Sequence, residues 1–255
     1  WAEDLGVKTA AEDSEFDVLF WVGCAGSYDE RAKKVTRAFA ELMKLAGINF
    51  RILGTEERCT GDPARRAGNE YLADYLSKMN VETLNSYKVK TVVTTCPHCF
   101  NTLKNDYPQF GGDFDVLHHS TYIKELIDSK RLIIKGSAQL SPDTIAYHDS
   151  CYLGRYNREF EAPRALLNNV PGLTVLEVQR SKDKGFCCGA GGARMFMEET
   201  VGERINSNRT KELLAVGADT IAVNCPFCMT MITDGIKESE QNETVKALDI
   251  AEIVM

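Results

Sequence analysis

The sequence lacks any uncharged apolar run approaching the ~20 residues of a membrane-spanning helix, so no such span is expected within it. It also lacks a basic surplus. Against 37 Asp+Glu it carries 30 Lys+Arg, a net charge of −7. Nucleic acid and anionic lipid both need a basic footprint, so neither is expected as the main partner. There is no initiating Met, and no signal-peptide pattern follows Trp1. Residues 1–16 are polar and mixed, and read as a linker from a region preceding this chain. The nine cysteines lack a tenth, so they cannot all pair. The chain does not lack substance. Its 255 residues, 44% hydrophobic and 26% charged, exclude wholesale disorder and suffice for one large or two small domains.

The cysteines fall into two sets. Cys24, Cys59, Cys96 and Cys99 form one; Cys151, Cys187, Cys188, Cys225 and Cys228 form the other. Cys59 to Cys96 spans 37 positions, and so does Cys188 to Cys225. The flanks repeat as well: TVVTTCPHC at 91–99 matches TIAVNCPFC at 220–228. Two copies of one unit of roughly 125 residues explain this, and such a repeat is settled before the fold is argued. Aligned on the shared spacing, Cys59 pairs with Cys188, and Arg58 stands where the second unit has Cys187.

Short β-prone runs at 17–23, 49–54, 91–95 and 114–117 alternate with helical patterns at 31–46 and 63–79 and a helix ending near 129. The second unit offers strands at 144–147, 174–178, 220–223 and 245–248, with a helix over 194–216. Alternation of this kind predicts an α/β fold: two tandem, pseudo-symmetric, Rossmann-like units with short parallel sheets. The cysteines stand at strand C-terminal ends, where such sheets gather functional groups. The first unit is expected over 17–138 and the second over 139–255, with Pro142 near the boundary.

A chain of this size with an ordinary core needs no disulfide staples, and inert buried thiols do not explain a duplicated spacing. Metal is left. Zinc takes four ligands in a closed tetrahedron, which Cys24, Cys59, Cys96 and Cys99 can supply; on spacing alone the first site is open between zinc and iron–sulfur. Five thiolates are one too many for a single zinc. Adjacent Cys187 and Cys188 more easily bind different irons of a cluster, which favours iron–sulfur in the second unit.

Gly189, Ala190, Gly191 and Gly192 follow the cysteine pair. Their backbone N–H groups, a helix N-terminus and Arg194 are expected to offset cluster charge. A dinucleotide loop would need Gly at position 194. His98 is read as a supporting residue, and His148 as a group that tunes the second site or carries protons. His118 and His119 have no clear counterpart, and Met195, Met197, Met229 and Met231 are read as packing. No catalytic residue is assigned.

The arrangement Cys…Cys-Cys-Gly…Cys-Pro-x-Cys resembles the duplicated cysteine-rich "CCG" domain of the catalytic B- or D-type chains of heterodisulfide reductase and related iron–sulfur oxidoreductases. The likeness covers the chain from about Phe16. It implies that Cys151, Cys187, Cys188, Cys225 and Cys228 hold a noncubane [4Fe–4S] cluster. The first unit departs from the pattern at Arg58-Cys59-Thr60-Gly61, so a cubane [4Fe–4S] cluster or zinc fits there. The wording of EERCTGDPARRAGNE and FCCGAGGARMF resembles bacterial proteins that take electrons from electron-transfer flavoprotein toward quinone. That implies an electron-transfer subunit of a larger oxidoreductase. Its expected partners are ferredoxin-like and flavoprotein components, and its expected place is the cytoplasm, at the cytoplasmic face of a membrane complex. Disulfide reduction at the noncubane cluster, or a zinc-bound structural module, are the alternatives.

Overall fold

Short runs of β-branched and aromatic residues, each ending just ahead of a functional loop, form the strands of two parallel sheets. The computed structural model describes residues 1–134, 144–241 and 243–255. In the first unit β1 (Val18–Trp21), β2 (Phe50–Arg51), β3 (Thr91–Thr94) and β4 (Asp115–His118) lie in the order β2-β1-β3-β4. In the second, β5 (Thr144–Tyr147), β6 (Thr174–Leu176), β7 (Thr220–Val223) and β8 (Lys246–Asp249) repeat it as β6-β5-β7-β8. Every pair is parallel. All four residues of β1 and of β7 are buried, as a sheet covered on both faces requires. The expected α/β class and its repetition are thus observed.

Helices fill the crossovers. The first unit holds α1 (Gly23–Tyr28), α2 (Glu30–Leu45), α3 (Asp62–Arg66), α4 (Glu70–Ser86), α5 (Pro97–Asn101) and α6 (His119–Asp128). The second holds α7 (Gly154–Asn157), α8 (Glu161–Asn168), α9 (Ile205–Leu214), α10 (Pro226–Glu238) and α11 (Ile250–Val254). Asp29 caps α2 by accepting from the Ala32 N–H, and the helix buries Val35, Phe39, Leu42 and Met43. The span expected as one helix over 63–79 is two, α3 and α4, because Asn69 caps a new start by accepting from Leu72. The helix expected over 194–216 begins only at Ile205. Ala193 and Gly202 hold left-handed backbone ahead of it, and only a short 3₁₀ turn at Arg194–Phe196 forms there.

The division falls between Trp1–Leu132 and Ile133–Met255. The boundary expected at 138/139 and Pro142 lie outside the described residues. Residues 1–16, read from the sequence as a linker, instead pack on the first unit. Trp1 meets Phe20 edge-on, Thr9 bridges to Ile52, and Ala10 is buried. The polar composition hides this because the anchors are few.

Candidate metal centres

Each CPxC motif is a strand end turned into a helix start. Cys96 and Cys225 are the N-cap residues of α5 and α10, in extended backbone. Pro97 and Pro226 follow at the first helical position, where the missing N–H costs nothing. Cys99 and Cys228 then sit in the first turn, so each motif puts two sulfurs at a helix N-terminus, where negative charge is favoured.

The strand registers fix which residues correspond. Val18 pairs with Thr91 and Ile145 with Thr220, and both threonines lie five residues before the first CPxC cysteine. Three residues beyond Val18 and Ile145 stand Trp21 and His148; six beyond stand Cys24 and Cys151.

In the second unit the five sulfurs touch in sequence. The Cys187 thiol is drawn well below its usual range, first by the thiol of Cys151, then by that of Cys188, and by the backbone N–H groups of Gly189 and Gly191. The Gly189 N–H lies 3.3 Å from Cys187 Sγ. Cys188 is pushed up by donating to Cys187, and Cys228, in contact with both Cys188 and Cys225, is pushed up likewise. Five thiols at this spacing do not ionise together without cations to bind them. Gly189 itself needs a left-handed backbone (φ 92°), and a Cβ there would press on Ile205, Met231 and Asn206. Arg194, expected beside the cluster, turns instead to Glu199 (3.5 Å) and remains exposed. It lines a ≈450 Å³ cleft with Gly189 and three methionines (Met195, Met197, Met231), and Glu198, Glu199, Arg204 and Asp234 make much of that wall charged.

The first unit gathers four. Burial pushes the Cys24 thiol up to about 11, with Cys96 and Cys59 adding to the push. Cys99, donating to Cys96 and buried, is also raised, with Cys24 and Cys59 contributing. Gly23, at φ 76°, would set a Cβ 3.5 Å from Cys99 Sγ. This unit corrects the alignment made on spacing. Gly61 has φ 95° and Gly189 has φ 92°, and each gives its N–H to the cysteine two residues earlier. Cys59 therefore corresponds to Cys187, both half-buried, and buried Thr60 (2% exposed) corresponds to buried Cys188 (3%). Arg58 faces solvent and donates to the Glu56 carbonyl. The missing thiol is Thr60's position, and one extra residue in the irregular segment before α9 restores the common spacing.

His98 lies on α5 with Nδ1 2.9 Å from Asp62 Oδ2. Although buried, Asp62 is held below the usual carboxylate range by His98 and Arg66. His118 and His119 are both fully buried, and His118 caps α6 where Asp249 caps α11, so it does have a counterpart.

Several supports gave little sequence signal. Glu57 accepts from the Val22 and Gly23 N–H groups (2.9 and 2.6 Å), tying the Cys59 loop to the end of β1. Asp149 does the reverse task in the second unit: it accepts from the Lys182 N–H (2.7 Å) of the loop leading to Cys187, and is gripped by both terminal nitrogens of Arg164 (2.8 Å each). Arg209, fully buried on α9, donates from Nε to His148 Nδ1 (3.0 Å). Burial and the Arg209 charge hold His148 down to about 3, so its ring is neutral.

Both units match the model of the cysteine-rich domain CCG, over residues 18–104 and 145–233. The chain is 44% identical to a probable iron-sulfur-binding oxidoreductase, FadF, of Bacillus subtilis, over 95% of this chain and 34% of that protein. It is 42% identical to EtfAB:quinone oxidoreductase of Syntrophomonas wolfei, over 100% and 37% respectively. To one of the subunits of the dihydromethanophenazine:CoB–CoM heterodisulfide reductase of Methanosarcina barkeri it is 33% identical, over 95% and 59%. The chain thus spans about a third of the first two relatives and under two thirds of the third. Two family matches, one on each sheet and each enclosing a complete run of cysteines, make the chain a member of the CCG cysteine-rich domain family.

Proposed function

We propose that this chain is the iron–sulfur electron-transfer module of a larger oxidoreductase, heterodisulfide-reductase-like in build. Cys151, Cys187, Cys188, Cys225 and Cys228 would hold a noncubane [4Fe–4S] cluster. Cys24, Cys59, Cys96 and Cys99 would hold a cubane [4Fe–4S] cluster or zinc. The observation that carries this reading is the contact sequence of five thiols in the second unit, with adjacent Cys187 and Cys188 both engaged. One metal ion has no use for five such ligands, whereas a cluster does. When bound, such a cluster accepts and passes single electrons without moving heavy atoms.

The chain's residues set the conditions. Gly189 and Gly191 give N–H groups to Cys187 and stabilise its thiolate. The α10 N-terminus does the same for Cys225 and Cys228. Asp149 and Glu57 fix the loops that bring distant cysteines together. Electrons would come from a flavoprotein or ferredoxin-type donor and leave to quinone or a thiol/disulfide acceptor, and the names of two relatives include quinone and heterodisulfide. Among the described residues no helix is long and apolar enough to cross a membrane.

The test is metal and sulfide analysis of anaerobically prepared protein. The expected result is about eight iron and eight sulfide per chain, or about four of each with one zinc. Zinc alone, without sulfide or brown colour, would overturn the reading in favour of a structural module.

A second reading is favoured by the cleft beside Gly189, where Met195, Met197 and Met231 share the wall with charged Arg194, Glu199 and Asp234. There a disulfide would take two electrons from the partner donor and two protons from the water filling the cleft, its S–S bond would break, and it would leave as two thiols. A single-turnover assay with a disulfide separates the two: no thiol release and no change in the cluster's EPR signal would retain electron transfer alone.

A further inference from the structure

The second centre contains a buried donor with nothing to donate to among the described residues. His148 is 1% exposed, and its Nε2 has no hydrogen-bond partner. A ring nitrogen of His148 and the Sγ atoms of Cys188 and Cys228 all lie within 4.8 Å of one another. The other ring nitrogen, Nδ1, is taken by Arg209 Nε at 3.0 Å.

Arginine has no acceptor and does not lose its proton, so this contact is a donation from Nε to Nδ1. Nδ1 must then be the bare nitrogen of the neutral ring, and the proton sits on Nε2. Arg209 is itself fixed: its Nη1 reaches Glu212 Oε2 (2.8 Å) and the Arg180 carbonyl (3.0 Å). The same geometry argues against a metal-ligand role. Ligation through Nε2 would need the proton moved to Nδ1, where it would face the Arg209 N–H. The first unit agrees. Trp21 occupies the register position of His148, is fully buried, and keeps an unpartnered indole Nε1. An indole N–H donates and cannot ligate, so the first unit carries no ligating nitrogen at this register position.

We infer that His148, locked by Arg209 in its Nε2–H tautomer, is a fixed hydrogen-bond donor to the sulfur of the second centre beside Cys188 and Cys228, and raises that centre's reduction potential. The inference rests on the cluster reading of the five cysteines. The physical basis is that a reduced cluster carries one more negative charge, so N–H donors to its sulfur stabilise the reduced form more than the oxidised one. His148 acts on the centre directly and moves no proton, and Arg209, which acts through it, is the positioning residue.

The test compares the unaltered chain with His148→Leu and His148→Gln, all prepared anaerobically. Iron content is measured first, then the second-site midpoint potential by EPR-monitored titration. His148→Leu is expected to keep its iron and titrate at a more negative potential. His148→Gln, whose amide retains an N–H, is expected nearer the unaltered value. Equal potentials at full iron content would overturn the inference. If His148→Leu does not hold iron, the unaltered chain labelled with ¹⁵N-histidine decides. A weak ¹⁵N coupling with an exchangeable proton that D₂O removes supports donation. No coupling, or the strong coupling of a bound nitrogen, overturns it. Failure of the cluster reading looks different, since it appears as zinc without iron in the unaltered chain before any variant is compared.

Discussion

The two units share a sheet order, a CPxC helix start and a left-handed glycine two residues past a half-buried cysteine, yet they place unlike side chains at equivalent positions. Where the second unit has Cys188, the first has Thr60. Where the second has His148, the first has Trp21. Thr91 and Thr220 set the count in each sheet, and eleven residues before them stand Asn80 and Arg209. Asn80 spends its amide on the Cys59 carbonyl (3.0 Å) and the Tyr107 hydroxyl (2.9 Å). Arg209 at the same place reaches into the centre through His148. The shared backbone keeps sulfurs together, and the differing side chains decide how many there are and what surrounds them. One fold thus gathers four cysteines in one unit and five in the other.

The largest expected effect comes from removing a ligand. Cys188→Ser is expected to lose all second-site iron while the first site keeps its metal, as iron analysis would show; loss from both sites at once would break the idea of independent centres. Next is the bracing of the loops. Arg164→Met leaves Asp149 buried without its cation, and is expected to cost about 3–5 kcal/mol in denaturant unfolding. The corresponding first-unit change, Glu57→Gln, removes one of two acceptors for the Val22 and Gly23 N–H groups and is expected to cost about 1 kcal/mol. A smaller and sharper effect is expected from Thr60→Cys. It supplies the fifth thiol and is expected to move the first-site spectrum toward that of the second, whereas Arg58→Cys on the exposed neighbour is expected to change nothing. A response to Arg58→Cys and none to Thr60→Cys would restore the alignment made on spacing.

Much of this was legible in the sequence because strands and cysteine motifs are local. The runs at 144–147 and 220–223 are strands to the residue, and CPxC announces its own helix start through proline. Loop geometry is less local. Cys59 and Cys188 share a 37-residue spacing, but one inserted residue can be absorbed in irregular chain such as that between Gly192 and Arg204, so counting paired the wrong cysteines. Only φ at Gly61 and Gly189 and the N–H each gives reveal the true pairs. Long-range partners left no periodicity at all. Arg209 reads as one of many charges on a polar helix, and nothing in its neighbours shows that it is buried against His148. Arg194 misled in the opposite sense: adjacency to the glycines suggested a role at the sulfurs, while the late start of α9 leaves it facing Glu199.

The two centres are equivalent in place and unequal in cysteines, and one paired measurement tests whether that inequality is one of ligands. Iron and sulfide are counted in Cys188→Ala and in Thr60→Ala, the same substitution at corresponding positions. The expected result is loss of the second-site cluster from Cys188→Ala and full retention of first-site metal in Thr60→Ala. Equal loss in both, or full retention in both, would contradict it.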